Sequence, residues 1–506
     1  MENIKYLIGI DNGGTLSKAV LYDLNGNEIA ISSCKTDTIM PHPSFIERNM
    51  EEMWQANVKA VRSVIESSNI NPKDIVGIAT TGHGNGIYLV DEDGKPTYNG
   101  IISTDTRAKE YVKKWYEEGV FNNVLPKTMQ SIWAGQPVAL LAWFKDNMPE
   151  VIKRTRYIFL CKDYIRYKLT GEAFAEITDM SGTNLMNVRD AKYDLDMLKE
   201  FGLEEILDKL PPIKYSSEIC GYVTKEVAEE TGLNEGTPVA GGLFDIDSSA
   251  IATGITTDEK ICITVGTWGI NEYISKKPIV SEDLFMTSLY CMEGYWLVTE
   301  GSATSASNLE WFVTEFMNEE RNSGKKNNKS VYEFANELVE SVKPEDSNII
   351  FLPFLYGTNV DANAKACFIG LNGWHTKAHM LRALYEGVVF CHQAHIDKLL
   401  AYRDKPKAVR IAGGAAKSKV WVQIFSDVLQ LPVEVTRSTE LGALGAVMCA
   451  GIATGNFNSF ETAASSMVKV AYTCYPDTSK RELYEKKYSI YKEAIDSLTK
   501  IWDKLY

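Results

Sequence analysis

Residues 6–23 read YLIGIDNGGTLSKAVLYD, and this stretch decides the fold. Two apolar runs flank a Gly-rich segment, which is the pattern of a β-hairpin. Glycine tolerates positive φ and lets a ligand approach bare backbone, and the N–H groups of such a turn form a concavity suited to anions. Gly13, Gly14 and Thr15 therefore indicate a phosphate-binding turn, although an ordinary surface hairpin would have the same pattern.

The residues beside this turn suit a phosphate that carries a metal ion. Asp11 ends the first apolar run, where a carboxylate can meet a hydrated divalent cation. Thr15 adds a hydroxyl and Lys18 adds a positive charge. The segment is not a Walker P-loop, because no Gly-Lys-Ser/Thr follows and the turn leads into a strand instead of a helix.

The same pattern occurs again about half a chain later. Residues 261–265 read ICITV and are followed by Gly266, Thr267, Trp268 and Gly269. A strand, a Gly-Thr turn and a second strand are predicted here too. A turn of this kind in each half predicts two like domains that face one ligand, with a boundary near Gly254.

Composition bounds the class of protein. The chain has 506 residues, enough for two large domains, and a net charge of −14, which disfavours a nucleic-acid partner. Its nine cysteines contain no C-x-x-C pair, which indicates buried thiols in a reducing compartment. No signal peptide is evident, and the most membrane-like stretch, 441–453, is too short to span a bilayer. We predict a cytoplasmic protein.

Three further segments place polar residues after predicted strands, where open α/β sheets bind ligands. The loop 80–86 reads TTGHGNG after the strand 75–80, so His83 either contacts a ligand or only bonds to backbone. Asp105 precedes a predicted helix, where it is either the N-cap or a ligand for a hydroxyl. Asp245 follows an apolar strand and two glycines, which puts a carboxylate at a ligand-facing edge.

The second half ends in a motif that suits a nucleoside. A predicted strand at 407–411 leads into residues 413–418, GGAAKS. The paired glycines would let a flat base or ribose lie on the backbone, although a turn without a ligand has the same pattern. Ser418 is predicted to cap the next helix. The small residues of 442–455 predict a helix that packs beside this turn, and the tail 480–506 is a predicted amphipathic helix.

These motifs, in this order, resemble the FGGY carbohydrate kinases of the actin, hexokinase and Hsp70 superfamily. The similarity covers essentially the whole chain and rests on four segments: 11–15 for the first phosphate loop, 266–267 for the second, 413–418 for the adenosine motif, and 366–371 with 379–386 for the C-terminal signature. It implies an α/β fold of two actin-like (ribonuclease H-like) domains with the nucleotide and sugar cleft between them. Residues 1–254 would be the sugar-binding and phosphate-loop domain, and residues 255–506 the nucleotide-binding domain with a C-terminal helix.

The resemblance also assigns roles to residues. Asp245 falls on the position of the catalytic base that also binds the sugar, and Asp11 on the position that organises Mg²⁺ through water. The remaining predicted site residues are His83, Gly84, Asn85, Asp105, Arg107 and Trp133 for the sugar, and Gly13, Gly14, Thr15, Lys18, Gly266, Thr267, Gly413, Gly414, Ala415 and Lys417 for the nucleotide.

Departures from the family pattern concern the sugar. D-Xylulose kinases carry a Met-His pair and glycerol kinases an Arg-Glu pair where this chain has His83, Gly84 and Asn85. The family's tryptophan before Asp105 is missing, and residues 102–104 are Ile, Ser and Thr. The loops are most similar to those of the L-xylulose kinase type.

The resulting prediction is an ATP-dependent kinase of a primary hydroxyl on a ketopentose, either L-xylulose or a D-xylulose-like sugar. A kinase of a polyol or related sugar, such as erythritol, glycerol or a keto-gulonate, is the alternative. A non-catalytic nucleotide-dependent sensor is a rival from another class, since fold alone does not settle function. The predicted partners are the sugar and ATP, in a homodimer, without nucleic acid or membrane.

Overall fold

The structure, a computed structural model, describes residues 4–358, 361 and 363–505, with the side chains of residues 325–327 left out. The chain forms two compact units that are not contiguous in sequence. The first unit runs to Thr256 and also contains Ile274–Val298 and Glu440–Lys469. The second unit contains Thr257–Tyr273, Thr299–Thr439 and the chain from Val470 onward. The predicted domains, 1–254 and 255–506, begin and end outside the described residues. They differ from these units because Ile274–Val298 and Glu440–Lys469 belong to the first unit.

The first unit is built on the predicted hairpin. Tyr6–Asn12 pairs antiparallel with Leu16–Asp23 and parallel with Ile75–Gly82. Along the sheet the strands follow the order Ile219–Tyr222, Pro238–Ala240, Ile75–Gly82, Tyr6–Asn12, Leu16–Asp23 and Glu28–Lys35, and Leu243–Phe244 also pairs with Ile75–Gly82. The strands of the centre are almost wholly buried because both faces of the sheet are covered.

Caps are clear at two helices of the first unit. Asn49 accepts hydrogen bonds from the N–H groups of Glu51 and Glu52 at the start of Met50–Ser68. Gly171, with φ 74°, ends Cys161–Thr170. The other α-helices of this unit are Lys109–Glu117, Val120–Thr128, Pro137–Asn147, Pro149–Arg154, Ile177–Ser181, Leu195–Glu200, Lys225–Thr231, Asp245–Ala252, Leu441–Ala453 and Phe460–Met467.

Short strands and 3-10 turns complete the first unit. They are the pairs Glu47–Arg48 with Gly100–Ile101, Tyr88–Val90 with Tyr157–Phe159, Ala175–Glu176 with Ile213–Lys214, and Met186–Asn187 with Lys192–Tyr193, the strand Met286–Leu289, and the 3-10 helices Pro72–Asp74 and Glu204–Lys209. Two apolar cores result. One lies against the large sheet and contains Trp54 and Ile78, and the other is formed by residues 87–210 and contains Trp115 and Leu140.

The small-residue helix packs on the large sheet of the first unit. Leu441–Ala453 belongs to that unit and lies on Tyr6–Asn12 and Ile75–Gly82. Its predicted packing beside the turn at Gly413 stays a prediction. Small residues permit a very close approach: a Cβ on Gly9 would lie 2.3 Å from the carbonyl oxygen of Ala443. Within the described chain, no helix combines the length and apolarity that a membrane span requires.

The second unit repeats the hairpin. Lys260–Val265 pairs antiparallel with Gly269–Ser275 and parallel with Ala408–Gly413. Its sheet follows the order Trp296–Ser302, Gly269–Ser275, Lys260–Val265, Ala408–Gly413, Val433–Thr436 and Val470–Cys474, and Ile350–Leu352 pairs with Cys367–Ile369. Its helices are Ser307–Phe316, Asn318–Asn327, Val331–Glu340, Lys377–Leu399, Lys419–Leu429 and Arg481–Trp502, with 3-10 helices at Pro344–Asp346, Gly414–Lys417 and Thr478–Lys480.

Candidate active site

The first Gly turn is open on the side that a ligand would use. The N–H of Gly13 donates to the carbonyl of Leu16 over 3.0 Å, which closes the turn. A Cβ placed on Gly14 would meet nothing within 4 Å. Neither glycine has a positive φ. What they provide is bare backbone beside free space.

A buried arginine, which the sequence analysis missed, holds this turn from behind. The Nη2 of Arg48 donates to the carbonyls of Gly13, over 3.2 Å, and of Gly14. Arg48 is only 1% exposed. Because its guanidinium engages the carbonyl oxygens, their partial negative charges are turned away from the open side. The residue is 34 positions from Gly14 in the chain, so no local pattern could connect the two.

The two predicted carboxylates lie at neighbouring strand ends. Asp11 is the register partner of Thr81, and Phe244, the residue before Asp245, is the partner of Gly82. Parallel strands end at the same edge of a sheet, so both carboxylates belong to one edge. Gly242 makes this arrangement possible: its φ is +83°, and a Cβ there would lie 1.9 Å from the carbonyl oxygen of Thr80.

Asp245 is the first residue of the helix Asp245–Ala252 and is half-buried. Burial raises the pKa of Asp245 to about 7, the negative charge of Asp11 adds to the rise, and the backbone N–H groups of Ile246 and Asp245 oppose it. A carboxylate with a pKa near neutrality can both take up and release a proton at physiological pH. Asp245 therefore has the properties of a general base.

Asp11 shares its surroundings with Lys18 and Glu440. Burial raises the pKa of Asp11 to about 6, with Lys18 lowering and Glu440 raising it. Lys18 Nζ lies 2.8 Å from Glu440 Oε2, so this predicted nucleotide ligand is ion-paired within the unit. Gly442 leaves room for the carboxylate, since a Cβ there would lie 2.5 Å from Asp11 Oδ2.

The loop 83–85 is buried and internally bonded except at Asn85. His83 Nε2 lies 2.8 Å from the hydroxyl of Tyr88, and Nδ1 lies 3.4 Å from the carbonyl of Gly84. Burial and the charge of Arg48 lower the pKa of His83 to about 3, so the ring is neutral. Asn85 is 5% exposed with φ 60°, and its Oδ1 has no hydrogen-bond partner among the described residues. Asn85 is thus the side chain here that is ready to accept a bond from a ligand.

Asp105 and Arg107 form a closed pair. Asp105 Oδ2 accepts from the N–H of Ile46 over 2.7 Å and from Arg107 Nη2 over 2.8 Å, and Oδ1 accepts from the N–H of Arg107 over 2.9 Å. Arg107 also reaches Glu47 over 2.7 Å. The predicted N-cap role is wrong, because the helix begins at Lys109 and no side chain caps it. Both residues tie loops together, and direct contact with a sugar stays a prediction.

Three loops of the first unit meet at one glycine. The N–H of Gly86 donates to the carbonyl of Gly135 over 2.9 Å, and a Cβ on Gly135 would lie 1.8 Å from the carbonyl oxygen of Ser103. The loops 80–86, 101–107 and 130–136 are therefore in contact. Phe244 covers Gly84, where a Cβ would lie 1.9 Å from its ring. The predicted sugar-side loops form one cluster beside Asp245.

A chain of buried amides supports Trp133, and no pattern in the sequence predicts it. Gln136 Oε1 accepts from the N–H of Trp133 over 3.0 Å and from Asn184 Nδ2 over 2.7 Å. Gln136 Nε2 donates to Gln130 Oε1 over 3.0 Å. The ring of Trp133 lies 6.4 Å from that of Phe285. These contacts fix the backbone of the Trp133 loop against two other segments of the unit.

The second unit contains a cavity of about 590 Å³. Predicted nucleotide residues line it: Gly266, Thr267, Gly414 and Lys417. Gly413 has φ +84° and lies directly against the carbonyl oxygen of Val265, so a glycine is needed there for the conformation of the turn. Ala415 is buried. Ser418 caps the next helix by accepting from the N–H of Trp421, as predicted.

Aromatic rings and one amide also line this cavity. Tyr385 and Trp421 stack with ring centroids 4.2 Å apart. Asn336 Oδ1 accepts from the hydroxyl of Tyr385 over 2.9 Å and from Ser418 Oγ over 2.7 Å. Because Ser418 Oγ already accepts from Trp421, its proton is available to Asn336. Flat apolar walls with a fixed amide suit a heterocyclic base.

Comparison with known proteins decides the family. Residues 6–252 match the model of the FGGY family of carbohydrate kinases, N-terminal domain, and residues 261–454 match that of the C-terminal domain. The chain belongs to the FGGY carbohydrate kinases. The probable L-xylulose kinase of Haemophilus influenzae is 35% identical over 97% of this chain and 99% of that protein. The L-xylulose/3-keto-L-gulonate kinase of Escherichia coli is 35% identical over 98% and 97%.

Solved structures of other kinases confirm the predicted fold class. The xylulose kinase from Rhodospirillum rubrum has a TM-score of 0.87 at 24% identity, covering 99% of this kinase and all of that chain. The ligand-bound xylulose kinase from Lactobacillus acidophilus has a TM-score of 0.90 at 22% identity, with the same coverage. At these identities the likeness concerns the fold alone.

The residues at the first turn of this FGGY kinase fit a magnesium ion held through water. Mg²⁺ keeps several waters and binds through one or two carboxylates plus substrate phosphates. Asp11 supplies one half-buried carboxylate beside the open turn, and burial raises its pKa to about 6, so a cation bound there would favour its charged form. Among the described residues, no group of three or more His, Cys, Asp or Glu could enclose a metal ion.

Proposed function

We propose that this FGGY kinase transfers the terminal phosphoryl group of ATP to a primary hydroxyl of a ketopentose of the L-xylulose type. The observation that carries this proposal is Asp245: a carboxylate with a pKa of about 7 at the edge of the sheet that also holds the Gly13–Gly14 turn. The names of the relatives from Haemophilus influenzae and Escherichia coli support L-xylulose as the sugar.

In this mechanism Asp245 accepts the proton of the sugar hydroxyl as that oxygen attacks phosphorus. General-base assistance of this kind contributes about 10²–10⁴-fold to the rate. Asp11 would hold the hydrated magnesium ion, which would neutralise charge on the phosphates. The open backbone at Gly14, with its carbonyl turned towards Arg48, is available to phosphate oxygens.

On the sugar side, Asn85 Oδ1 accepts a hydrogen bond from a hydroxyl, which supplies the partner it lacks within the described chain. Trp133 offers an apolar face to the carbon skeleton. The Asp105–Arg107 pair holds the loop 101–107 against Ile46 and Glu47, so its influence on the sugar is through loop position. His83 keeps its predicted place beside Asn85 as a neutral ring.

On the nucleotide side, the cavity of about 590 Å³ binds ATP. Gly266 and Thr267 face the phosphates, Lys417 neutralises their charge, and Gly414 lets the nucleoside lie on the backbone. Tyr385 and Trp421 form an apolar wall, and Asn336 presents its Nδ2 to the base because its Oδ1 is already engaged.

A keto-gulonate is the second candidate substrate, and the name of the Escherichia coli relative favours it. Its carboxylate would need a positive partner among the sugar loops, where the Arg107 side chain is buried and paired with Glu47 and Asp105. Polyols such as erythritol or glycerol have no such support, and a non-catalytic sensor is not favoured by a family of kinases.

A coupled ADP-release assay tests the proposal. The purified kinase is given ATP and Mg²⁺ with L-xylulose, D-xylulose, 3-keto-L-gulonate, erythritol and glycerol in turn. We expect the highest kcat/KM with L-xylulose and a fall of about 10²–10⁴-fold in sugar-dependent ADP release in Asp245→Asn. A kinase that prefers a polyol, or sugar-independent turnover that survives Asp245→Asn, would contradict it.

We also propose a cytoplasmic location, which the nine free cysteines support because thiols persist in a reducing compartment. The homodimer predicted from the sequence stays a prediction. Sedimentation at two protein concentrations would test it.

A further inference from the structure

A line of three buried side chains runs behind the second Gly turn. His392 Nδ1 lies 2.8 Å from Asn271 Oδ1, and His392 Nε2 lies 2.9 Å from Ser305 Oγ. Asn271, Ser305 and His392 are each no more than 1% exposed. They come from the strand Gly269–Ser275, the segment before Ser307–Phe316, and the helix Lys377–Leu399. None belongs to the motifs that define the family resemblance.

The chemistry of the three groups fixes the direction of each hydrogen bond. An amide oxygen only accepts, so Asn271 Oδ1 requires the proton on His392 Nδ1. In a neutral ring Nε2 is then an acceptor, and Ser305 Oγ must donate to it. Burial and the nearby charge of His395 lower the pKa of His392 to about 3, which agrees with a neutral ring. Ser305 is thereby held in one orientation.

Ser305 is joined directly to the backbone of the turn. The next residue, Ala306, donates its N–H to the carbonyl of Gly266 over 2.9 Å, and Ser307 Oγ donates to the carbonyl of Thr267 over 3.3 Å. His392 itself packs on the turn, since a Cβ on Gly269 would lie 3.1 Å from its Cε1. Two carbonyl oxygens of the turn are therefore bonded to the segment that His392 holds.

We propose that His392 is a positioning residue for the nucleotide phosphates. Acting through Ser305, it keeps Ala306 and Ser307 on the carbonyl oxygens of Gly266 and Thr267, so that the negative ends of these peptide dipoles do not face the phosphates. The role rests on the proposed placement of ATP in this cavity. It assigns a function in nucleotide binding to a helix face that the sequence motifs do not mark.

Two matched serine substitutions test this. Ser305 and Ser302 each place a hydroxyl on a histidine of the same helix, and Ser302 Oγ lies 3.1 Å from His395 Nε2, away from the turn. Ser305→Ala should raise the KM for ATP and the Kd for ADP about fivefold, the equivalent of about 1 kcal/mol for a lost hydrogen bond. The KM for sugar and kcat should change less than twofold. Ser302→Ala should lower the Tm to a similar extent and leave ATP binding unchanged.

A purely structural role would lower the Tm in both variants and change neither ATP constant, and that result would overturn the proposal. If Ser305→Ala does not fold, a measurement on the wild-type protein still tests the proposal. The chain has six histidines, so ¹⁵N-histidine labelling gives few signals, with His392 assigned from His392→Gln. We expect an Nδ1–H tautomer between pH 6 and 8 whose Nε2 signal shifts as ADP binds. A protonated ring, or a signal unmoved at saturating ADP, would overturn it.

Failure of the proposed nucleotide site gives a different result. If ATP does not bind in this cavity, Gly414→Val will leave the ADP affinity unchanged. If Gly414→Val weakens ADP binding while Ser305→Ala does not, only the role of His392 is wrong.

Discussion

The two Gly turns have the same sequence pattern but are held in place by different chemistry. At Gly13 and Gly14 a buried guanidinium, that of Arg48, donates to the turn carbonyls. At Gly266 and Thr267 the donors are a backbone N–H and a serine hydroxyl, from Ala306 and Ser307. In both, the glycines have no positive φ and leave bare backbone exposed.

The difference follows from the charges around each turn. Asp11, Asp245 and Glu440 bring negative charge to the first turn. Burial is the main cause of the raised pKa of Asp11 and of Asp245, and the charge of Glu440 adds to the first rise and that of Asp11 to the second. A positive charge behind that turn offsets the repulsion that a phosphate would meet. The second turn is backed by the neutral groups Ser305 and His392, and neutral hydrogen bonds are sufficient there. The motif thus specifies open backbone, and the surroundings decide how it is held.

The largest expected effect is a loss of catalysis by the first unit, with nucleotide binding in the second unit unchanged. Asp245→Asn keeps the size of the side chain but cannot accept a proton, so kcat should fall by about 10²–10⁴-fold. The Kd for ADP, measured by calorimetry, should stay within twofold of the wild-type value. Turnover within tenfold of wild type on the best sugar would show that Asp245 is not the base.

Arg48→Lys tests whether the first turn needs the planar guanidinium group, which can donate to two carbonyls at once. Lysine keeps the charge but cannot reach both carbonyls in the geometry of a guanidinium. We expect kcat/KM for ATP and sugar to fall by about tenfold to a hundredfold, since hydrogen bonds to charged groups contribute about 1.5–3 kcal/mol.

Arg62→Lys is the matched control for Arg48→Lys. Arg62 Nη2 also donates to two consecutive carbonyls, those of Glu229 and Glu230, but on the exposed surface. Its substitution should leave kcat/KM unchanged. Equal effects of the two substitutions would mean that Arg48 only stabilises the fold.

A smaller effect is expected in the second unit, where one glycine is proposed to leave space for the ligand and its neighbour is needed for the backbone conformation. Gly414→Val should weaken ADP binding by about tenfold with an unchanged Tm, because a Cβ there would have its nearest neighbour, Val265 O, at 4.0 Å. Gly413→Val should lower the Tm, because φ is +84° and the Cβ would lie 2.4 Å from the same oxygen. Calorimetry and melting curves give both values, and a normal ADP affinity in Gly414→Val would make that glycine an ordinary turn residue.

The smallest effect concerns the sugar. Asn85→Gly keeps the left-handed backbone and removes the unpartnered Oδ1. We expect about a tenfold lower kcat/KM for the preferred sugar, corresponding to one hydroxyl contact, with the KM for ATP unchanged. Asn69→Gly, at another positive-φ asparagine that is exposed, is the control and should have no effect. An unaltered sugar preference in Asn85→Gly would leave Asn85 with a conformational role.

The sequence by itself determined the local elements and the family. Apolar runs around Gly turns predicted both hairpins, and Ser418 was correctly expected to cap its helix. These features depend on neighbouring residues, and their pattern is therefore visible in the chain. The order of four motifs was sufficient to predict the family that the comparisons show.

Only the tertiary structure decided which surfaces and side chains meet. It placed Leu441–Ala453 on the first unit, paired Asp105 with Arg107 instead of a helix end, and brought Arg48 behind Gly14 and His392 behind Gly269. Most of these contacts join residues that are distant in sequence. Asp105 and Arg107 are close in sequence, but a carboxylate before a predicted helix had more than one possible partner. Burial, charge and hydrogen-bond direction select among such partners, and these quantities exist only once the chain has folded.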